Sequence, residues 1–222
     1  MMAPEKLSAN KSDDYFKVAR DDIIALVPPG AKRVLDVGCG AGETSARLKT
    51  FHAVQEVVGI EFIPKVAKIA EQRIDRVLVG DVETLLLDFP NGYFDCIMCA
   101  DVLEHCKDPW NVLVKLRPFL CDNGVLIASI PNLRHLVVVL KIIFDRWEYE
   151  SSGILDDGHL RFFTFHTIKN MLNKAGFVIV KVNVNRSVSW KFKLLNFCSF
   201  GLLRPFSIYQ YLIVARKSHS LF

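Results

Sequence analysis

Residues Val34–Gly42 read Val-Leu-Asp-Val-Gly-Cys-Gly-Ala-Gly and decide how the rest of the chain folds. An apolar run with an aspartate precedes three glycines that alternate with small residues, and the following residues 43–48 are compatible with a helix. Glycines at such positions let the chain turn sharply and let a ligand approach the backbone. The first amides of the helix add hydrogen-bond donors and partial positive charge. The stretch therefore predicts a nucleotide-like ligand bound at the carboxyl end of a first strand.

The spacing of the glycines separates the kinds of nucleotide-like ligand. A dinucleotide fingerprint reads G-x-G-x-x-G or A, but the third small position is occupied here by Glu43, whose carboxylate would repel a pyrophosphate. The G-K-S or G-K-T of a Walker phosphate loop does not occur in the sequence. The pattern Asp36-x-Gly38-x-Gly40-x-Gly42 instead resembles motif I of the class I S-adenosylmethionine-dependent methyltransferases. The resemblance implies S-adenosyl-L-methionine, which carries no phosphate, as the cofactor.

Composition limits the class of protein. The 222 residues, 51% of them hydrophobic, are enough for one domain with a buried core. No apolar run approaches the roughly 20 residues of a membrane span, and the N-terminus lacks the apolar core of a signal peptide, so we expect a cytoplasmic protein. The net charge of +4 is mild and the basic residues are scattered, which argues against a nucleic-acid partner.

Cys96 and Cys99 form a C-x-x-C inside a strand-like run, which predicts core packing rather than a zinc or redox site.

Strand and helix signals alternate along most of the chain, which is typical of a parallel doubly wound sheet. We predict a disordered segment over residues 1–12 and a single methyltransferase domain over residues 13–222. The expected fold is a seven-stranded Rossmann-like α/β sheet, mostly parallel with an antiparallel last strand and helices on both faces. Strands are predicted over residues 33–37, 56–60, 77–79, 94–99, 125–130, 177–184 and 209–215. Helices are predicted over residues 13–27, 43–49, from about 64, 108–119 and 164–176. An irregular region is predicted at 131–163, between the fifth strand and the last helix.

Three acidic residues fall where the first three predicted strands end, at the ligand-facing edge of such a sheet. Asp36 would orient the glycine loop and the methionine ammonium of the cofactor. Glu61 lies about 20 residues past the loop, where a carboxylate accepts both ribose hydroxyls. Asp81 would accept from the adenine amino group. Three carboxylates in register after a glycine-rich loop favour a cofactor site over solvated turns.

The resemblance to class I methyltransferases, mainly those acting on small molecules and lipids, extends over Leu35–Ile130. The segment Phe94–His105 looks like the family's motif after strand four. The resemblance implies a cofactor site that consists of Asp36, Gly38, Cys39, Gly40, Glu61, Phe62, Asp81, Val82, Ala100 and Asp101.

Methyl transfer from a sulfonium depends mainly on alignment, but a hydroxyl acceptor must also lose its proton, for which histidine is suited. Asp101, Glu104 and His105 fall at i, i+3 and i+4 and could share one face of a turn. Three interpretations stay open: a capped turn, a site mouth with His105 as base, or a divalent metal bound by carboxylates and imidazole. Our site assignment takes His105 and Asp101 as catalytic candidates and includes no metal ligand.

A second group of candidates lies between strands five and six, where the family places substrate-recognition insertions, here at about 131–165. Residues Tyr15–Phe177, and Leu155–Thr164 most specifically, resemble a subgroup often associated with bacterial cell-surface polysaccharide and glycan loci. His159 and Arg161 alternate with apolar residues and would share one face of an extended segment.

His159 is therefore a third catalytic candidate, and Arg161 a candidate anchor for an acidic or phosphorylated acceptor. The alternative for this pair is a buried contact that fixes the insertion. His135 and Trp147 complete the predicted substrate contacts, although large aromatic residues are more often part of a core.

The sequence thus predicts an O-methyltransferase acting on a sugar, a glycan precursor or another small hydroxylated acceptor. Alternatives are a lipid or quinone-like acceptor, or a non-catalytic cofactor-binding partner in a glycan-assembly complex. A second insertion, residues 187–207, combines apolar residues with lysines and could be a lid, a dimer face, a peripheral membrane contact or a packed crossover. We expect a monomer or a homodimer.

Overall fold

The computed structural model describes residues 18–186 and 196–218, and within them seven strands form one sheet in the order β3-β2-β1-β4-β5-β7-β6. Strand β7 runs antiparallel to both of its neighbours, β5 and β6, whereas the pairs among β3, β2, β1, β4 and β5 are parallel. The predicted fold class is confirmed. The strands are β1 (Arg33–Val37), β2 (Glu56–Glu61), β3 (Arg76–Val79), β4 (Phe94–Ala100), β5 (Leu120–Pro131), β6 (Phe177–Arg186) and β7 (Ile208–Lys217).

Six α-helices and three single 3-10 turns lie wholly within the described residues. The longest, α6, begins at a capping box in which Thr164 and Thr167 bond each other's backbone, close to the predicted start of the helix at 164. The helices are α1 (Asp21–Ile24), α2 (Glu43–Phe51), α3 (Pro64–Ala70), α4 (Pro109–Leu116), α5 (Leu136–Ile143) and α6 (Phe165–Lys174), and the 3-10 turns are Leu103–His105, Arg117–Phe119 and Arg204–Ser207.

Alternating side chains of the central strands supply two hydrophobic cores, one on each face of the sheet. On β4, Cys96 packs in the core that includes residues of α1, α2 and α3, whereas Cys99 packs in the core that includes residues of α4 and α6. Burial raises the pKa of both thiols. The C-x-x-C therefore splits between two cores and cannot act as a chelating pair.

Two predicted segments were wrong in detail. The helix predicted over 13–27 is limited to Asp21–Ile24 in the described residues, because Arg20 has non-helical backbone angles (φ −98°, ψ 79°) and its backbone N–H donates to Thr44 Oγ1 at 3.1 Å. Residues 13–17 lie outside the described residues. The irregular region predicted at 131–163 contains helix α5, in which Lys141 is the one polar residue among eight, too few to mark a solvent-facing side from the sequence.

The topology brings the carboxyl ends of β1, β2 and β4 to one edge of the sheet, next to the glycine-rich loop. Strand order reverses between β1 and β4, which makes this edge the point where doubly wound sheets bind ligands. No helix in the described residues is both long enough and apolar enough to cross a membrane.

Candidate cofactor and acceptor site

A cavity of about 380 Å³ opens at this edge. Residues missed by the sequence analysis also line it, among them Arg20, Thr44 and Val102, and no local sequence pattern distinguishes these three from ordinary surface or core residues. The predicted site residues that line the cavity are Asp36, Gly38, Cys39, Gly40, Glu61, Phe62, Ala100, Asp101 and His105.

The glycine loop forms one wall of the cavity. Gly38, Gly40 and Gly42 have φ angles of 71°, 55° and 79°, in the left-handed region that other residues rarely adopt. A Cβ added to Gly38 would lie 2.5 Å from Cγ2 of Val102, so this glycine is also required by a close contact. The loop is fixed to the sheet because the N–H of Gly38 donates to the carbonyl of Ile60 at 2.8 Å.

Glu61 connects the end of β2 to the glycine loop. Its Oε2 accepts from the N–H of Gly40 at 2.9 Å and its Oε1 from the N–H of Ile63 at 2.8 Å. Burial raises the pKa of this carboxyl, and the backbone donors, led by Ile63, oppose that rise. Since each carboxylate oxygen has more than one acceptor site, the bound backbone groups leave Glu61 able to accept from a ligand as well.

Asp36 lies buried at the end of β1 and accepts a 2.6 Å hydrogen bond from Ser45 Oγ on α2. Burial raises the pKa of Asp36 to about 7, the bond from Ser45 opposes the rise, and the nearby charge of Glu61 adds to it. Two buried carboxylates at one end of the cavity disfavour an anionic ligand and favour one that carries a positive charge.

Asp101 lies at the end of β4 with a φ angle of 57° and forms an ion pair with Arg20. Ser129 Oγ donates to Asp101 Oδ1 at 2.8 Å, and the Gln210 side chain donates to the same oxygen. Arg20 also donates to Ser129 Oγ at 3.3 Å and to Gln210 Oε1 at 3.2 Å. This network holds Asp101 in an unusual backbone conformation at the cavity wall and engages the carboxylate with an arginine.

His105 lies in the 3-10 turn after β4 and lines the cavity. Its Nδ1 is 2.9 Å from the carbonyl oxygen of Gly158. A carbonyl oxygen can only accept, so in this contact Nδ1 carries the proton and the neutral ring presents a basic Nε2. Gly158 allows the approach, because a Cβ there would lie 3.2 Å from the same nitrogen.

His159 is buried and stacks edge-to-face on His105 with the ring centroids 4.7 Å apart. Its Nδ1 lies 3.0 Å from the carbonyl oxygen of Ile154, which fixes the same tautomer as in His105. Leu160 and Arg161 donate their backbone N–H groups to the carbonyl oxygen of Glu104. These bonds attach the insertion to the turn after β4.

Glu104 points into the protein beside these histidines. Its exposed fraction is 1%, and neither carboxylate oxygen has a hydrogen-bond partner among the described residues. Burial, and secondly the charge of Asp101, raise the pKa of this carboxyl well above its ordinary value. A buried carboxylate without donors is unusual in a native fold and calls for a specific explanation.

The other predicted cofactor and substrate residues do not line this cavity. Asp81 accepts from the backbone N–H of Glu83 at 2.9 Å, and Val82 belongs to the core. Their roles in cofactor binding stay predictions.

The predicted substrate residues lie in three different surroundings. His135 is buried with its ring 5.6 Å from that of Tyr209. Arg161 donates through Nε to the carbonyl oxygen of Lys107 at 2.9 Å. Trp147 packs on Phe162 with the ring centroids 5.4 Å apart. Their contacts with a substrate stay predictions.

A row of aromatic rings leads from the cavity to the surface. His105 stacks on His159, His159 lies 6.2 Å from Phe162, Phe162 contacts Trp147, and Trp147 lies 6.3 Å from Tyr149. Trp147 and Tyr149 at the outer end are 39% and 59% exposed. The insertion therefore presents a partly exposed aromatic surface that connects directly to the histidine at the cavity wall.

The cavity residues fit S-adenosyl-L-methionine. Its methionine ammonium and ribose hydroxyls are donors, and the buried carboxylates of Asp36 and Glu61 are acceptors. The left-handed glycines leave room for the backbone to approach a ligand closely. A pyrophosphate would meet two carboxylates in this cavity, so a dinucleotide fits poorly.

Comparisons with known proteins agree with this fit. The model of a methyltransferase-domain family matches residues 13–182. A ubiquinone biosynthesis O-methyltransferase of Cereibacter sphaeroides is 29% identical over 181 residues, which are 78% of this chain and 72% of that protein. A 27-O-demethylrifamycin SV methyltransferase of Amycolatopsis mediterranei is 32% identical over 111 residues, which are 47% of this chain and 40% of that one.

A solved structure has the same fold. A SAM-dependent methyltransferase from Archaeoglobus fulgidus superposes with a TM-score of 0.69 at 22% identity and covers 92% of this chain and 97% of its own. With the family match over most of the sequence, the glycine loop and the carboxylate-lined cavity, the chain belongs to the methyltransferase-domain family and is an S-adenosyl-L-methionine-dependent methyltransferase of class I.

Proposed function

We propose that the chain transfers the methyl group of S-adenosyl-L-methionine to a hydroxyl group of a small acceptor. The observation that carries the proposal is His105, a histidine at the cavity wall whose Nδ1 is fixed by a backbone carbonyl and whose Nε2 is left as the basic nitrogen. Oxygen acceptors need such a base because an un-ionised hydroxyl is a weak nucleophile. The two relatives named above are also O-methyltransferases by their names.

Residues at the inner end of the cavity would hold the cofactor. Asp36 would accept from the methionine ammonium, and Glu61 would accept from the ribose hydroxyls while it keeps its bonds to Gly40 and Ile63. When bound, S-adenosyl-L-methionine supplies a methyl group on a sulfonium, and the sulfur keeps the electron pair of the broken bond.

The acceptor's hydroxyl would lie against His105. In this proposal the hydroxyl proton passes to Nε2 of His105 as the acceptor oxygen forms its bond to carbon. Gly158 holds the ring orientation through Nδ1, which keeps the ring in the tautomer that accepts at Nε2. The protein's remaining task is alignment, which can supply a large share of the acceleration.

The aromatic row supports a sugar, a glycan precursor or another small hydroxylated compound as the acceptor. Trp147 and Tyr149 offer exposed ring faces on which the apolar side of a sugar ring can pack, and Phe162 and His159 continue that surface to His105. Arg161 remains our proposed contact for an acidic or phosphorylated group.

A lipid or quinone-like acceptor is the second candidate. Helix α5 exposes Val137, Leu140, Ile142 and Ile143, and Phe144 follows it with its side chain 67% exposed. Such an apolar surface within the insertion suits an acceptor with an apolar tail. The name of the Cereibacter relative points to the same class of compound.

The test is a methylation assay with nucleotide-linked sugars and with dihydroxylated quinone precursors as acceptors, read by mass spectrometry for one added methyl group. His105→Gln should lower the rate by about 10²–10⁴-fold with little change in cofactor affinity, because a positioned base contributes about that much. His166→Gln, an exposed histidine on α6, is the matched control and should leave the rate unchanged. A His105→Gln enzyme that keeps the wild-type rate would contradict the assignment of the base.

The rival function is that of a non-catalytic cofactor-binding partner in a glycan-assembly complex. It predicts tight binding of S-adenosyl-L-methionine with no methylated product from any acceptor. It also predicts that His159→Gln and His105→Gln have no effect on the function of the complex.

A further inference from the structure

Glu104 is the starting point, because the fold buries its carboxylate without giving either oxygen a hydrogen-bond donor among the described residues. Desolvating such a group is unfavourable unless it is protonated, paired with a cation or bound to a metal. Arg20, a cation close enough to affect Glu104, forms its ion pairs with Asp101 and Asp22. The carboxylate of Glu104 therefore points into the site as an unused acceptor.

Two histidines converge on the same place from different elements. His105 follows Glu104 in the 3-10 turn after β4, and His159 comes from the insertion between β5 and β6. Both rings are oriented by a carbonyl at Nδ1, from Gly158 and from Ile154. Metal-binding histidines usually have this arrangement, in which a backbone carbonyl holds one nitrogen and the other carries the lone pair for the metal.

The three side chains are close enough to share one ion. One donor atom from each of Glu104, His105 and His159 lies within 4.8 Å of the other two. Two ligands of a tetrahedral zinc ion, each about 2.1 Å from it, lie about 3.4 Å apart, so a shift of about 0.7 Å by each side chain is enough to close the set. Two imidazoles with one carboxylate form a donor set that zinc takes in sites with an open fourth position.

We propose that Glu104, His105 and His159 bind one divalent transition-metal ion, with zinc as the best match, at the acceptor side of the cofactor cavity. The sequence left open a divalent metal bound by the carboxylates and the imidazole of this turn, but spacing within one turn could not bring in His159, which is 54 positions after His105. Asp101, which the sequence grouped with this turn, is instead engaged by Arg20. The site follows from the juxtaposition of the turn and the insertion.

A metal here would change the task of His105, and this part of the inference depends on the proposed function. As a ligand, His105 would not take the hydroxyl proton itself. The ion would lower the pKa of an acceptor hydroxyl in its open position, and the proton would leave to water. The acceptor oxygen then forms its bond to the methyl carbon, and the carbon–sulfur bond breaks with its electron pair on sulfur, so atoms and charge balance.

The binding test is calorimetric titration of Zn²⁺ into the metal-free full chain. We expect one site per chain and a loss of at least about 100-fold in affinity in Glu104→Gln, since even partners of metal ligands cost 10- to 100-fold when mutated. Glu104→Gln keeps the side-chain shape and removes the charge, and His159→Gln provides a second variant should the first not fold. His166→Gln is the matched control and should bind Zn²⁺ as the wild type does.

Co²⁺ provides a readout that separates this site from binding by the free cysteines. Nitrogen and oxygen ligands give weak visible ligand-field bands, whereas thiolates add intense charge-transfer absorption. We expect the weak ligand-field bands in the wild type and their loss in Glu104→Gln. A wild-type chain that does not bind, or that binds Zn²⁺ and Co²⁺ just as Glu104→Gln does, would overturn the site and leave Glu104 as a protonated acid.

Methylation measured with and without a chelator distinguishes the two proposals. Metal binding with no turnover of any hydroxylated acceptor would remove the proposed function and keep the site. Full turnover by chelated, metal-free enzyme would keep the proposed function and overturn the catalytic role of the ion.

Discussion

At the scale of single residues, the site depends on carboxylates that the fold takes out of water. Asp36, Glu61 and Glu104 are all buried, and burial raises the pKa of each. They differ in what compensates for the burial. Asp36 has the Ser45 hydroxyl, Glu61 has two backbone N–H groups, and Glu104 has no hydrogen-bond partner among the described residues. Each therefore has a different capacity left for a ligand.

Asp36 makes cofactor binding depend on pH. Its pKa is about 7 in the fold against an ordinary 3.8, so the ligand-free fold favours the protonated form and loses stability as pH rises from about 4 to 7. A cationic ligand favours the ionised form. We expect the affinity for S-adenosyl-L-methionine to rise by up to about tenfold per pH unit up to about pH 7, and to level off above it. Calorimetric titration of S-adenosyl-L-methionine at several pH values between about 4 and 8 measures this affinity.

Ser45→Ala provides the control for this dependence. The Ser45 hydroxyl lowers the pKa of Asp36, so its removal should shift the rise in affinity to higher pH, whereas Asp36→Asn should flatten it. Glu61 also has a raised pKa, and an unshifted curve in Ser45→Ala would assign the effect to Glu61 instead. An affinity that does not change with pH would contradict the role of both carboxylates.

At the scale of elements, the glycine loop and the turn after β4 depend on each other. Gly38 has a left-handed backbone and also lies against Val102, which begins the turn that carries Glu104 and His105. The same turn is bonded to the insertion through the carbonyl of Glu104. A change in the loop should therefore reach the acceptor side of the cavity.

The variants Gly38→Ala and Gly30→Ala distinguish the stability cost of backbone strain from the cost of the contact with Val102. Both glycines have positive φ, 71° and 84°, but a Cβ at Gly30 meets nothing within 4 Å, whereas one at Gly38 lies 2.5 Å from Val102. Gly30→Ala should cost about 1–2 kcal/mol of unfolding free energy, from strain alone. Gly38→Ala should cost more and weaken cofactor binding. Denaturant unfolding measures the first quantity and calorimetry the second.

The double variant Gly38→Ala with Val102→Ala tests the contact directly. Removing the Val102 methyl groups should restore part of the unfolding free energy that Gly38→Ala loses beyond Gly30→Ala. The loss caused by backbone strain should remain. Equal stability losses for the Gly38 and Gly30 variants would contradict the contact.

At the scale of the whole molecule, the sequence predicted the sheet and the cofactor edge, because both depend on local signals. Apolar runs set the strands, and Asp36, Gly38 and Glu61 are recognisable from their positions relative to those runs. Arg20 and His159 could not be placed in the same way. Arg20 reaches Asp101 across 81 positions, and His159 reaches His105 across 54, and no pattern in one segment specifies such a contact.

Helix α5 shows a second limit of sequence patterns. Seven of its eight residues are apolar, so the sequence marked neither its helical state nor the side of it that is exposed. The predicted insertion at 187–207 lies partly outside the described residues, and its proposed roles stay predictions. The acceptor's identity depends on the insertions, whose sequences lack a regular pattern. Cofactor binding depends on the strand ends and the glycine loop, whose sequence patterns are regular.

The most direct test of the central claim is calorimetric titration of S-adenosyl-L-methionine into the wild type, Glu61→Ala and Glu71→Ala. Glu61 lines the cavity, whereas Glu71 is an exposed glutamate at the end of α3 and serves as the matched control. We predict one site per chain, an affinity at least about tenfold lower in Glu61→Ala, as expected for a lost hydrogen bond to a charged group, and no change in Glu71→Ala. A folded wild type that does not bind, or a Glu61→Ala variant that binds equally well, would contradict the account.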